Sequence, residues 1–268
     1  MRRFENDGVI GYRFETLPDI VDAFVSTRHG GVSVPPYDTL NLGFHVGDDS
    51  VAVLENRRRL AAAIGLQLGD FVVTEQVHKG TVMQVGPAER GRGAAELESA
   101  VSATDALISD SPEVVLAVML ADCVPVVVVD PEAPAIGVAH AGWGGTVHHI
   151  ARNTVAAMAD AFGSDPAGMV AAIGPSIGPG SYEVGPEVAE RARAEYLDTA
   201  AVVEGEGGAL YFDLWRSNHA DLTAAGLDAD RIEVAAIDTF RGDDIFFSDR
   251  RQRPTGRFMT LARLRTSP

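Results

Sequence analysis

Between residues 105 and 140 the chain reads DALIS, VVLAVML, VPVVVVD and AIGVAH, four short apolar runs that do not alternate with polar residues. A strand with one wet face alternates; a strand covered on both faces has no reason to. The runs therefore demand a sheet with material packed on either side. Their Val and Ile content suits strands, because branched side chains are stiff and fit a pleated surface.

The rest of the chain has to supply the cover. End signals predict a helix over 51–64, capped by Asp49 or Ser50 and stopped by Gly65, with Val53, Leu54, Leu60, Ala61 and Ile64 on its buried face. Arg57, Arg58 and Arg59 spread around that cylinder. A second helix is expected over 146–161, with Ile150, Val155 and Met158 on its apolar side. A third covers about 186–196 from Pro186, and a fourth covers 214–225 between Asp213 and Gly226. Further strands are predicted at 20–27, 71–78, 81–85, 169–174 and 231–239, and the tail from Asp244 opens on an aromatic strand and closes on an apolar one. Residues 86–100 read as a surface loop and 198–210 as a polar, glycine-bearing stretch. No repeat or linker divides the chain. The expectation is one α/β domain over residues 1–268, a mixed sheet core flanked by helices.

The net charge of −16 argues against a general polyanion binder such as a nucleic-acid protein, since that affinity leans on neutralising phosphates. It leaves room for a local basic pocket. A single cysteine rules out an internal disulfide. The N-terminus MRRFENDGVIGYRF lacks the apolar run of a signal peptide, and no uninterrupted apolar stretch has the ~18 residues of a membrane span. The chain is read as a soluble cytoplasmic protein without a membrane partner.

Three residues that suit a metal lie at the ends of predicted strands: His78 closes FVVTEQVH, Cys123 follows LAD, and His140 closes AIGVAH. Thiolate and imidazole are borderline-soft donors that suit Zn²⁺, and three protein ligands leave the open position of a catalytic site. From local sequence alone Cys123 reads equally as a small core hydrophobe, and each strand-end histidine reads more readily as a hydrogen-bonded surface or rim residue than as a ligand. Asp122 is a candidate general base or acceptor behind the site, or a turn residue. His148, His149 and His219 read as structural, while His29 and His45 flank glycine-rich loops beside the site. Arg28 precedes Gly-Gly, and Arg250, Arg251, Arg253 and Arg257 make a basic tail in an acidic chain, which suits a small anion.

The segments STRHGGVSVPPYDTLNLGFHVGDD, VLENRRRL, EQVH, TDALIS, LADCVPVVVVDP, GVAHAGWGGTV, AAIGPSIGPGSYEVG, YFDLWRSN and FFSDRRQRPTGRFMTL occur in this order from about Val21 to Leu261. In this the chain resembles the YfiH family, once called DUF152, whose members have been labelled laccases, peptidoglycan editing factors and purine nucleoside phosphorylases. The resemblance implies the CNF1/YfiH-like fold and a zinc site of His78, Cys123 and His140. It implies phosphorolysis of adenosine, inosine and methylthioadenosine, and deamination of adenosine. For those reactions Asp122 is expected to handle protons, and Arg28, Asn41, Arg57 and Arg250 to lie near the phosphate or ribose. The chain departs from the family pattern at Lys79, which follows the EQVH histidine, at Asp238 where many members have cysteine, and at Asp249 in FFSDRR.

Two other chemistries use the same residues. Cys123 activated by His140 or His78 would be the nucleophile of an amidohydrolase that edits peptidoglycan precursors. A non-catalytic module would use the zinc structurally, but such sites close with four ligands and no second cysteine exists. A multicopper oxidase is disfavoured, because seven histidines and one cysteine, mostly scattered, fall short of a trinuclear cluster plus a further copper site.

Overall fold

The computed structural model describes residues 1–196, 201–242 and 244–266; residues 198–200 of the polar stretch lie outside them. Two six-stranded sheets form the core. Sheet one runs in the order β1 (Arg2–Asn6), β2 (Val9–Arg13), β3 (Val21–Ser26), β15 (Phe258–Leu264), β7 (Val115–Leu120), β4 (Phe71–Val73). Sheet two runs β14 (Ile232–Val234), β10 (Val170–Ile173), β8 (Val124–Asp130), β9 (Ala135–Ala141), β6 (Ala106–Ser109), β5 (Val82–Gln84). A small antiparallel sheet of β11 (Glu183–Val184), β13 (Leu210–Phe212) and β12 (Val202–Glu204) stands beside them.

The non-alternating runs are explained by the layering. Every residue of β7, β8 and β9 is buried. Leu116, Val118 and Leu120 of β7 meet Val127 and Val129 of β8 and Ile136 and Val138 of β9 across the seam between the sheets. The other face of β7, Val115, Ala117 and Met119, packs with Leu60 and Ala61 of α1 (Ser50–Ala63). The other face of sheet two, including Val126, Val128 and Ala139, packs with Val155 and Met158 of α3 (Ile150–Phe162) and Leu222 of α5 (Leu214–Ala224). The result is four layers, helix, sheet, sheet, helix. Each fully buried Val or Leu contributes roughly 1.5–3 kcal/mol relative to exposure, so the seam is a large share of the stabilisation.

Asp49 caps α1 by accepting the Val51 N–H, and Gly65 follows at φ 73°. Its buried face differs from expectation: Asn56 and Arg57 are buried with Val53, Leu60 and Ala61, while Leu54 is only half-buried. α4 (Pro186–Glu195) starts on its proline and α5 is capped by Asp213, as predicted. The strand expected at 71–78 leaves the sheet after Val73, because the N–H groups of Val77, His78 and Lys79 turn to the Asp105 carboxylate. The helix expected at 146–161 is two pieces, α2 (Trp143–Val147) and α3, parted by His149 at φ 56°. The Asp221 carboxylate holds the His149 ring at 2.8 Å and fixes that break. The strand expected at 231–239 is cut to β14, and Phe246 and Phe247 are buried in turns, outside any strand. No helix among the described residues is long and apolar enough to cross a membrane.

Candidate metal centre

The site forms where the chain crosses between the sheets. β7 ends in sheet one at Leu120, β8 begins in sheet two at Val124, and Ala121, Asp122 and Cys123 make the step. Asp122 adopts φ 85°, a left-handed turn conformation that Asp tolerates better than most residues. Its carboxylate accepts hydrogen bonds from Thr239 Oγ1 (2.7 Å), Ser248 Oγ (3.0 Å) and the Arg250 N–H (2.7 Å). Burial pushes this carboxyl above its ordinary value. Its oxygens are thus occupied in tying the crossover to the C-terminal turns.

His140 sits near the end of β9, opposite Pro125 of β8 and so beside Cys123. His78 lies on the link from β4 to β5, at φ 57°. The two rings approach edge to face with centroids 4.7 Å apart. One donor atom each from His78, Cys123 and His140 lies within 4.8 Å of the other two, the one such metal-ready group among the described residues.

Asp105, the first residue after Thr104 and just ahead of β6, organises two of the three. Its carboxylate accepts the N–H groups of His78 (2.9 Å) and Lys79 (2.8 Å) and meets His140 Nδ1 at 3.0 Å, while its carbonyl accepts the His140 N–H at 2.8 Å. With Nδ1 engaged, His140 offers Nε2 to the group, the carboxylate–histidine arrangement that fixes a ligand's tautomer. Burial alone would raise the Asp105 carboxyl, but the His140 ring and the loop N–H groups hold it below its ordinary value. Burial alone would likewise lower His140, but the charge on Cys123 and the Asp105 hydrogen bond push it up to about 9. His78 goes the other way, down to about 4; atoms packed around its ring desolvate it although its outer side is exposed, and the His140 charge adds to this.

Space around the donors fits a cation. A Cβ on Gly142 would lie 2.6 Å from His78 Nδ1 and 2.9 Å from Cys123 Sγ, so only glycine lets both donors close over this point. Beyond them opens a cavity of about 420 Å³. Leu97, Met119 and Ala121 give it apolar walls, and His45, Asp249 and Arg257 give it a polar side. Gln76 also lines it, but its amide is occupied on both ends by the Met119 backbone, at 2.7 Å each.

The four residues expected to bind phosphate or ribose do not line this cavity. Arg57 is 1% exposed, donates to the carbonyls of Leu42, Gly93 and Ala94, and lies over the Phe44 ring; burial lowers it to about 9. Asn41 is fully buried and bonds Asp48, Gly43 and the Arg257 N–H. Arg28 pairs with Asp38 and stacks over Phe247. Arg250 donates to the Glu183 carbonyl and stacks over Tyr182. Sequence reasoning missed Asp105, named Arg257 only within the basic tail that suits a small anion, and noted Asp249 only as a departure from the family pattern. The one local signal for Asp105 is a carboxylate placed just before a fully buried strand.

A family profile described as multi-copper polyphenol oxidoreductase laccase matches residues 22–265. The chain belongs to this laccase-domain family, the YfiH group. The Geobacillus stearothermophilus protein named purine nucleoside phosphorylase YlmD is 39% identical over 242 residues, 89% of this chain and 88% of that one. A protein of an unknown prokaryotic organism named adenosine deaminase RL5 is 36% identical over 233 residues, 86% of this chain and 88% of that one. The crystal structure of YlmD from Geobacillus stearothermophilus superposes with a TM-score of 0.93 at 36% identity, covering 98% of each chain. The YfiH fold expected from the motifs is therefore the fold observed. The names of these family members support an enzyme.

Proposed function

We propose that this family member is a single-domain, cytoplasmic purine nucleoside phosphorylase with adenosine deaminase activity, acting with Zn²⁺ held by His78, Cys123 and His140. The observation that carries the reading is the His–Cys–His donor group opening onto a part-apolar cavity of about 420 Å³, large enough for a nucleoside. The names of the relatives point the same way. Adenosine, inosine and methylthioadenosine are the expected substrates.

When bound, zinc supplies Lewis acidity and makes water a competent nucleophile near neutral pH. The chain's own residues do the rest. Asp105 holds the His140 tautomer and the His78 loop. Leu97, Met119 and Ala121 offer the flat purine an apolar bed that excludes water. Asp249 offers a carboxylate acceptor for a ribose hydroxyl. In phosphorolysis a phosphate oxygen bonds to C1′ of the ribose, the bond from C1′ to the purine nitrogen breaks, and the purine leaves with that electron pair and takes up a proton. Asp122 serves here as the brace of the Cys123 turn, its oxygens being engaged elsewhere.

A second reading rests on the approach of Cys123, His140 and Asp105, which has the order of a nucleophile, base and orienting carboxylate. It would make the protein an amidohydrolase. Incubation with adenosine, with and without phosphate, while adenine, inosine and ribose 1-phosphate are followed, tests the first reading; no turnover, or turnover unchanged in Cys123→Ala, defeats it. Metal analysis followed by iodoacetamide separates the two. Stoichiometric zinc with a protected Cys123 excludes the free nucleophile.

A further inference from the structure

Phosphorolysis requires a seat for inorganic phosphate, and Arg28, Arg57 and Arg250, which the sequence places near it, are engaged away from the cavity. Among the described residues that line the metal-side cavity, one is an arginine, Arg257. Its stem and the His45 ring come together over Gly43: a Cβ there would lie 2.8 Å from Arg257 Cγ and 3.3 Å from His45 Cε1. The buried Asn41 side chain fixes this arrangement by accepting the Gly43 N–H at 3.0 Å and the Arg257 N–H at 2.8 Å.

The guanidinium is held but not used up. Nη1 donates to the carbonyls of Thr255 (3.2 Å) and Gly256 (3.1 Å), and Nη2 reaches Asp249 Oδ1 only at 3.4 Å. Nε has no partner among the described residues, and the side chain keeps 20% of its surface exposed. Asp249 has a closer cation of its own, Arg253 at 2.6 Å. Arg257 and Asp249 line the same cavity as His78, Cys123 and His140, so this corner faces the metal ligands. A planar fork with free donors, facing the cavity beside the reacting end, is the usual seat of an oxyanion, and a chain of net charge −16 needs such a local positive point to draw one in.

We propose that Arg257, presented with His45 over Gly43, binds the inorganic phosphate co-substrate, with Asp249 turned from Arg257 to the ribose. This rests on the phosphorylase reading but reads out separately from it. Phosphate is titrated calorimetrically into wild type, Arg257→Gln, Arg257→Lys and Cys123→Ala, and KM for phosphate and for nucleoside is measured in the first three. Loss of one charge-assisted fork should weaken phosphate binding and raise its KM roughly 10- to 100-fold in Arg257→Gln, with the nucleoside KM moving far less. Arg257→Lys, which keeps the charge without the fork, should fall between and covers the case in which the glutamine variant does not fold. Cys123→Ala should still bind phosphate, which separates an anion on Arg257 from one on the metal.

Wild-type phosphate affinity in both Arg257 variants, its loss in Cys123→Ala, or no binding by wild type overturns the proposal. Ribose 1-phosphate formation by wild type with the same phosphate KM in both Arg257 variants overturns it while leaving the phosphorylase intact. Phosphate binding lost with Arg257 but no ribose 1-phosphate from wild type keeps the anion seat and removes the phosphorylase.

Discussion

Gly142→Ala isolates the metal centre from the fold. Gly142 has φ −67° and ψ 177°, an extended conformation open to alanine, so the backbone is not strained by the change. The added methyl would lie 2.6 Å from His78 Nδ1 and 2.9 Å from Cys123 Sγ. Comfortable carbon contacts are near ~3.5–4.0 Å, so the two donors must retreat by about 1 Å. Metal–ligand distances tolerate only about 0.2 Å. Zinc affinity should drop at least as far as the ~10- to 100-fold that follows loss of a residue supporting a ligand. The metal-free protein should lose no more than about 1 kcal/mol, the scale of a changed helix cap. The measurement is zinc content by mass spectrometry after dialysis against a series of chelator concentrations, beside urea unfolding of the stripped protein. A variant that keeps wild-type zinc affinity would refute the convergence of His78 and Cys123 at this glycine.

Two further outcomes follow from buried charges. Arg57→Met should destabilise the protein by about 3–5 kcal/mol in urea unfolding, because the carbonyls of Leu42, Gly93 and Ala94 lose their donor; a stable variant with a raised phosphate KM would return Arg57 to the substrate. Asp221 is fully buried, and burial raises its carboxyl above 3.8, so the native state holds this proton at pH values where the unfolded chain has lost it. Its contribution is complete below the unfolded value and is lost as pH rises through the folded one. The stability advantage of wild type over Asp221→Asn should therefore shrink with rising pH across that window, and an advantage that grows would contradict the assignment.

The sequence is legible where burial is local and opaque where it is not. Unbroken Val and Leu in β7, β8 and β9 announce two covered faces, and both faces are covered. They do not announce that β7 and β8 belong to different sheets, since that depends on a three-residue step with Asp122 at φ 85°. Cys123 and His140 stand out at the ends of apolar runs. His78 is harder, because its strand ends five residues earlier, at Val73. Asp105 acts on backbone groups 26–28 residues away, which no local pattern encodes. Arg57 and Asn41 mislead for the opposite reason. They read as free polar groups, yet their partners are carbonyls and N–H groups of distant loops.

The crossing between the sheets has a mechanical consequence. His78 lies on the chain between β4 of sheet one and β5 of sheet two, Cys123 lies between β7 and β8, and His140 belongs to sheet two itself. Two of the three donors are thus hinges of the sandwich, so a cation gripping all three would rivet its open end. Prying the sheets apart would pull the rivet, and drawing out the rivet would let that end breathe, so amide exchange near Cys123 should report metal occupancy without any substrate.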